Sequence, residues 1–232
     1  MELVLPASPT PIVPIQGQPA GFPVRRIYCV GRNYVEHAKE MGHSGREPPF
    51  FFMKPADAIV PVASGVGRLP YPSLTSNLHH EVELVVAIGR GGSAIPVERA
   101  LEHVWGYAVG LDMTRRDLQN DMKKQGRPWS IGKGFDASAP IGPLTPAAQA
   151  PGIHAAAIRL TVNGSTVQSG RIDGMIWSVA EIIAHLSQAW ALAPGDLVYT
   201  GTPEGVGPVK VGDRLEASVE GLAPLSLEVV ER

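Results

Sequence analysis

The chain has 232 residues, of which 44% are hydrophobic and 18% charged, with a formal net charge of −2. That is enough apolar material for one large core, and a charge too small and too evenly spread for a nucleic-acid-binding face, since no basic run or stripe occurs. The single cysteine, Cys29, excludes an internal disulfide, and no apolar run approaches the ~20 residues of a membrane span. Residues 1–10 carry neither the basic nor the apolar region of a secretory signal, so a soluble, cytoplasmic protein is expected, with no nucleic-acid or membrane partner.

Residues 1–24 are Pro-rich and are expected to form an arm or an edge strand, because proline is tolerated at sheet edges. The spacing then predicts a strand over 27–30 and a helix over 33–41, opened by Asn33 and Glu36 as a capping-box pair and closed by Gly42. Further strands are predicted over 50–53 and 82–88. A short helix over 96–104, with Pro96 in its first turn, leads into a buried strand over 105–111. Thr114 is expected to cap a charged helix ending near Gly126. Asn163-Gly164 between two β-branched runs predicts a hairpin, as both turn positions need positive φ. Ser178 and Glu181 predict a second capping box, ahead of an apolar stripe through Val179, Ile182, Ile183, Leu186 and Trp190. Closing strands are expected over 197–200 and within 214–230. The abundance of turn residues, 26 glycines and 22 prolines, points to many short strands. No repeat or linker appears. The expectation is a single β-rich α+β domain over 25–232 with a few outer helices, since strand and helix do not alternate as in a doubly wound α/β fold.

The run from His79 to Val86 carries the most chemical information. Side chains alternate along a strand, so Glu81 and Glu83 point the same way, continuing toward the apolar Val85 and Ala87. Two carboxylates at the polar end of a buried face repel each other, and a divalent cation resolves the conflict. Asp112, just past a buried strand, is a candidate third ligand. Three carboxylates with open positions suit a hard ion, Mg²⁺ or Mn²⁺. A competing reading makes His79 and His80 zinc ligands, but adjacent strand residues face opposite sides. His37 and Glu40 share a helical face, and a carboxylate beside an imidazole raises its basicity, so this pair is a candidate for deprotonating water. Lys133, set among apolar residues and glycines, is a candidate for a substrate anion. Arg116 and Gln119 share a face of the charged helix. The turn Gly201-Thr202-Pro203 offers backbone N–H groups and a hydroxyl to a carboxylate.

Taken together, Val30-Gly31-Arg32-Asn33-Tyr34, the run 77–84, Gly110-Leu111-Asp112-Met113-Thr114, Lys133 and Thr200-Gly201-Thr202-Pro203 resemble the fumarylacetoacetate hydrolase family, over nearly all of residues 27–230. Within that family, residues 36–41 and 126–129 are similar to the acylpyruvate hydrolase branch, and residues 46–52 with the Pro-rich start to fumarylpyruvate hydrolases of gentisate breakdown. The resemblance implies a mixed β-sandwich roll, usually a homodimer, with Mg²⁺ held by Glu81, Glu83 and Asp112. It assigns His37 and Glu40 to a water-activating dyad and places Arg116, Gln119, Lys133 and Thr202 around a small 2,4-dioxo acid. The implied reaction is hydrolysis of a carbon–carbon bond. Oxaloacetate decarboxylation and isomerisation of a 2-oxo diacid are alternatives at the same metal, and a binding module with a structural ion is the non-enzymatic one.

Overall fold

The computed structural model describes residues 3–35 and 46–232. His37, Glu40 and most of the helix expected over 33–41 lie outside the described residues.

The centre of the molecule is an eight-stranded mixed sheet. It contains β3 (Arg26–Gly31), β4 (Phe50–Lys54), β5 (Ile59–Pro61), β8 (Val82–Ile88), β9 (Val104–Leu111), β11 (Ala139–Ile141), β12 (Thr145–Pro146) and β15 (Asp196–Tyr199). The strand order is β4-β3-β15-β8-β9-β11-β5, with β12 also pairing β9. A five-stranded sheet packs on it, built from β6 (Gly67–Pro70), β13 (Ala157–Val162), β14 (Ser165–Arg171), β17 (Arg214–Val219) and β18 (Leu225–Val230) in the order β14-β13-β17-β18-β6. A small third sheet joins β7 (Leu78–His80), β10 (Thr114–Arg115) and β16 (Gly207–Val209). The segment 12–24 folds back as an antiparallel ribbon of β1 (Ile12–Pro14) and β2 (Gly21–Pro23).

The sequence of β8 explains why it sits in the middle. All seven residues are buried. Val82, Leu84, Val86 and Ile88 enter the core between the two large sheets, where they meet Leu160, Leu215 and Leu227. Val85 and Ala87 enter a second core on the opposite face, closed by Val13, Ile15, Phe22 and Val24 from the ribbon. A strand apolar on both faces belongs in a covered sheet rather than at an edge. Cys29 lies in this second core, and burial pushes its thiol well above the ordinary range, so it is an inert packing residue.

The described helices are short and lie outside the sheets: α1 (Arg116–Lys124), α2 (Ser130–Lys133) and α3 (Val179–Ala189). The architecture is the β-rich α+β fold expected. In α3, Ser178 accepts the Glu181 N–H while the Glu181 carboxylate accepts the Ser178 N–H, and Ile182, Ile183 and Leu186 form the buried stripe. Ser178→Ala is expected to lower stability by about 1 kcal/mol, read as a shift of the urea midpoint without a change in slope. Asn163 and Gly164 take φ of 51° and 80° between β13 and β14, as the hairpin demands.

Two local expectations are corrected. Residues 97–103 form a tight 3-10 helix rather than an α-helix, with Pro96 just outside it. Thr114 does not cap α1. It lies in β10, its hydroxyl turned toward Glu81, and no side chain caps that helix. Glu36, the expected capping-box partner of Asn33, lies outside the described residues, and the Asn33 side chain reaches across the molecule. Its amide donates to the carbonyls of Trp177 and Thr200 and accepts the Trp177 N–H. For Thr114 a long-range partner outcompetes the local hydrogen bond.

Candidate metal centre and active site

Strand register alone brings the three acids together. In the antiparallel β8–β9 pair, Val82 faces Leu111 and Glu83 faces Gly110. One step further, the Asp112 N–H donates to the Glu81 carbonyl, so Asp112 lies directly opposite Glu81. Glu81, Glu83 and Asp112 are all buried, and a carboxylate oxygen from each lies within 4.8 Å of the others.

Cations crowd the same place. Lys133, at the end of α2 and only 2% exposed, puts its Nζ 2.9 Å from Glu81 Oε2, 2.7 Å from Asp112 Oδ2 and 2.7 Å from Thr114 Oγ1. The helix can approach this closely because Gly132 packs against the Gln119 backbone, where a Cβ would sit 2.9 Å from the amide nitrogen. Arg116 holds Glu81 and Gln119 from α1. Burial works to lower the Lys133 pKa, but the Asp112 and Glu81 carboxylates outweigh it and leave it raised. Lys133 is therefore an ammonium at neutral pH, suited to stabilising negative charge rather than to taking a proton.

Two features mark where a cation fits. Asp112 Oδ1 is buried and makes no hydrogen bond, although Lys54 Nζ lies 2.8 Å away, outside hydrogen-bonding geometry. Glu83 accepts the Gly201 N–H at 2.8 Å but has no ion-pair partner among the described residues. Burial, then the Asp112 and Glu81 charges, push the Glu83 carboxyl well above its usual range. A hard divalent ion beside Glu83 and Asp112 Oδ1 would relieve both, so the donor set fits Mg²⁺ or Mn²⁺.

The turn after β15 is built for its role. Gly201 has φ of 99°, and a Cβ there would lie 2.6 Å from Asn33 Cβ. Only glycine lets the N–H reach Glu83 while Asn33 clamps the neighbouring Thr200 carbonyl. Thr202 Oγ1 accepts from Gln168 Nε2 at 2.8 Å. Its own proton is thereby left for a ligand.

Glu81, Glu83, Asp112, Arg116, Gln119, Lys133 and Thr202 line a single cleft with Arg32, Phe52 and Trp129. The two histidines part as strand alternation requires. His79 contacts Asn77 and Arg116, while His80 contacts Gln168. His79 is held neutral, its pKa lowered to about 4 by burial and then by the Arg116 charge. Neither belongs to the acidic cluster.

Sequence reasoning missed Lys54, Thr114 and Gln168. Lys54 is 2% exposed and ends an apolar strand, so the alternation that singled out Glu83 was also available for it. Gln168 gave no such signal. It sits in a polar strand, yet it accepts the Val82 N–H and supports Thr202 from a different sheet.

Residues 26–230 match the family model described as "Fumarylacetoacetate (FAA) hydrolase C-terminal". The chain is 43% identical over 205 residues to a mouse (Mus musculus) protein named oxaloacetate tautomerase FAHD1, mitochondrial, covering 88% of this chain and 91% of that one. It superposes with a TM-score of 0.97 on fumarylpyruvate hydrolase from Pseudomonas aeruginosa, solved in complex with Mn²⁺ and pyruvate, at 57% identity with 100% of both chains covered. It is also similar to a 5-carboxymethyl-2-hydroxymuconate delta-isomerase from Mycobacterium smegmatis, with a TM-score of 0.79 and 35% identity over 92% of this chain and 81% of that one. By the model match over most of its length and by these full-length likenesses, the chain belongs to the fumarylacetoacetate hydrolase family.

Proposed function

We propose that the chain is a divalent-metal-dependent hydrolase that splits a 2,4-dioxo acid at a carbon–carbon bond, taking fumarylpyruvate and water to fumarate and pyruvate. The observation that carries this reading is the convergence of Glu81, Glu83 and Asp112 with the Lys133 ammonium in one cleft. The likeness to a fumarylpyruvate hydrolase holding Mn²⁺ and pyruvate supports it.

Glu81, Glu83 and Asp112 would hold the ion, Mg²⁺ or Mn²⁺. When bound, it supplies a Lewis acid that polarises the 2-oxo acid end of the substrate. Arg116, Gln119 and the Thr202 hydroxyl orient the C1 carboxylate. His37, oriented by Glu40, takes a proton from water. The oxygen of that water bonds to C4 as the C3–C4 bond breaks, and the electron pair stays on the pyruvate half. Lys133 faces that developing enolate charge, where a fixed cation has its largest effect. A proton delivered to C3 completes pyruvate.

A second reading, interconversion of the keto and enol forms of oxaloacetate, is favoured by the names of several relatives, the mouse protein among them. The test is to incubate the Mn²⁺-loaded protein with fumarylpyruvate, acetylpyruvate and enol-oxaloacetate. Equimolar fumarate and pyruvate from fumarylpyruvate, lost in His37→Ala with Mn²⁺ still bound, is the expected result. Accelerated decay of enol-oxaloacetate, with no cleavage of either acylpyruvate, would overturn the hydrolase reading in favour of the second.

A further inference from the structure

The metal cleft opens into a cavity of about 610 Å³ lined by Arg32, Phe50, Phe52, Arg127, Trp129 and Lys133, among others. Arg32, Phe52, Trp129 and Lys133 border both spaces, so a ligand anchored at the acids extends into this cavity. Among the described residues, no carboxylate lines it.

Arg32 is held there in an unusual way. Its backbone has φ of 58°, a left-handed conformation uncommon for a side chain of this size. Such strain persists where the surroundings enforce it, and it concentrates at functional sites. The guanidinium carbon lies 5.1 Å from the Phe50 ring centre and 6.0 Å from that of Trp129. Phe50 meets Trp129 edge-on at 5.3 Å, and Phe52 lies against the same indole at 6.0 Å. Arg32 Nε is buried and has no hydrogen-bond partner among the described residues. A buried donor without an acceptor costs free energy until a ligand supplies one.

Resting on the reading above, we propose that Arg32, with Arg127 on the same cavity, recognises a second carboxylate at the far end of the substrate. The site would then select dicarboxylic 2,4-dioxo acids over monocarboxylic acylpyruvates. A carboxylate accepts from the guanidinium fork in parallel and supplies the acceptor that Nε lacks. A planar, conjugated acyl chain between the two acid groups would lie against Phe52 and Trp129. Fumarylpyruvate has both features and acetylpyruvate has neither.

The test separates recognition from turnover. The Mn²⁺-loaded full-length protein is titrated calorimetrically with 2-oxosuberate and 2-oxooctanoate, which match in length and differ in the terminal carboxylate. The wild type is expected to bind the diacid at least ~10-fold tighter, the range of a hydrogen bond to a charged group. Arg32→Asn keeps a residue that tolerates the left-handed backbone, and Arg127→Gln alters an exposed side chain. Both should bring the ratio of the two affinities toward one, whereas a general structural loss would weaken both ligands and leave the ratio. A wild-type ratio near one, or a ratio unchanged in both variants, would overturn the inference. Failure of both acids to bind the Mn²⁺-loaded wild type would overturn the metal-centred reading itself, and this inference with it.

Discussion

Asp112→Ala is expected to abolish turnover, by at least ~10³-fold, together with high-affinity Mn²⁺ binding. The reason lies in what surrounds the carboxylate. Its Oδ2 receives Lys133, its Oδ1 faces Lys54 without a hydrogen bond, and its main chain pairs with Glu81. Removing the side chain takes away one donor of the proposed ion. It also leaves two buried ammonium groups short of a counter-charge, a change that typically costs 3–5 kcal/mol. The loss of stability and the loss of metal need separating. Asp112→Asn keeps the volume and one carbonyl oxygen, so it should fold better than Asp112→Ala while still binding Mn²⁺ poorly. Mn²⁺ titration by electron paramagnetic resonance, alongside urea denaturation, distinguishes the two effects. Undiminished turnover by wild-type protein dialysed against EDTA would refute the metal role.

Lys133→Met is the second large effect. A fall of about 10²–10³ in kcat is expected, the usual cost of losing one fixed charge donor at a developing anion. Mn²⁺ binding should persist or tighten, because the ammonium contacts two of the three proposed ligands and competes for their charge. Methionine fills much of the lysine volume, which limits the cavity left in a side chain so deeply buried. If Mn²⁺ binding collapses while KM and kcat per loaded site stay at wild-type values, Lys133 is a scaffold for the acids and not a charge donor in the reaction.

The contrast between these residues explains what could be read early. Glu81 and Glu83 stood out because period-two alternation put both on an apolar face, where charges need a reason. Arg116 and Gln119 followed from helical spacing, and they do share the buried face of α1. Thr114 was misassigned because a threonine ahead of a charged helix is a common cap. In the folded chain its hydroxyl finds Glu81 and Lys133 instead. Gln168 could not have been found. Its importance comes from the packing of β14 beside the turn after β15, and nothing local in a strand reading STVQSGR distinguishes it.

The residue order by itself determined the β-rich class, the strand cores, the hairpin at Asn163-Gly164, the capping box at Ser178 and the pairing of Glu81 with Glu83 on one face. These depend on interactions within a few residues, and chain periodicity records them directly. Only the tertiary structure decided that Asp112 lies opposite Glu81, that Lys54 and Lys133 arrive from separate elements at the same carboxylate, and that Arg32 stands in the adjoining cavity with a donor to spare. Those contacts join distant parts of the chain through strand register and the packing of α2. Side-chain spacing along the sequence does not encode how far apart two segments will be once a sheet has closed around them.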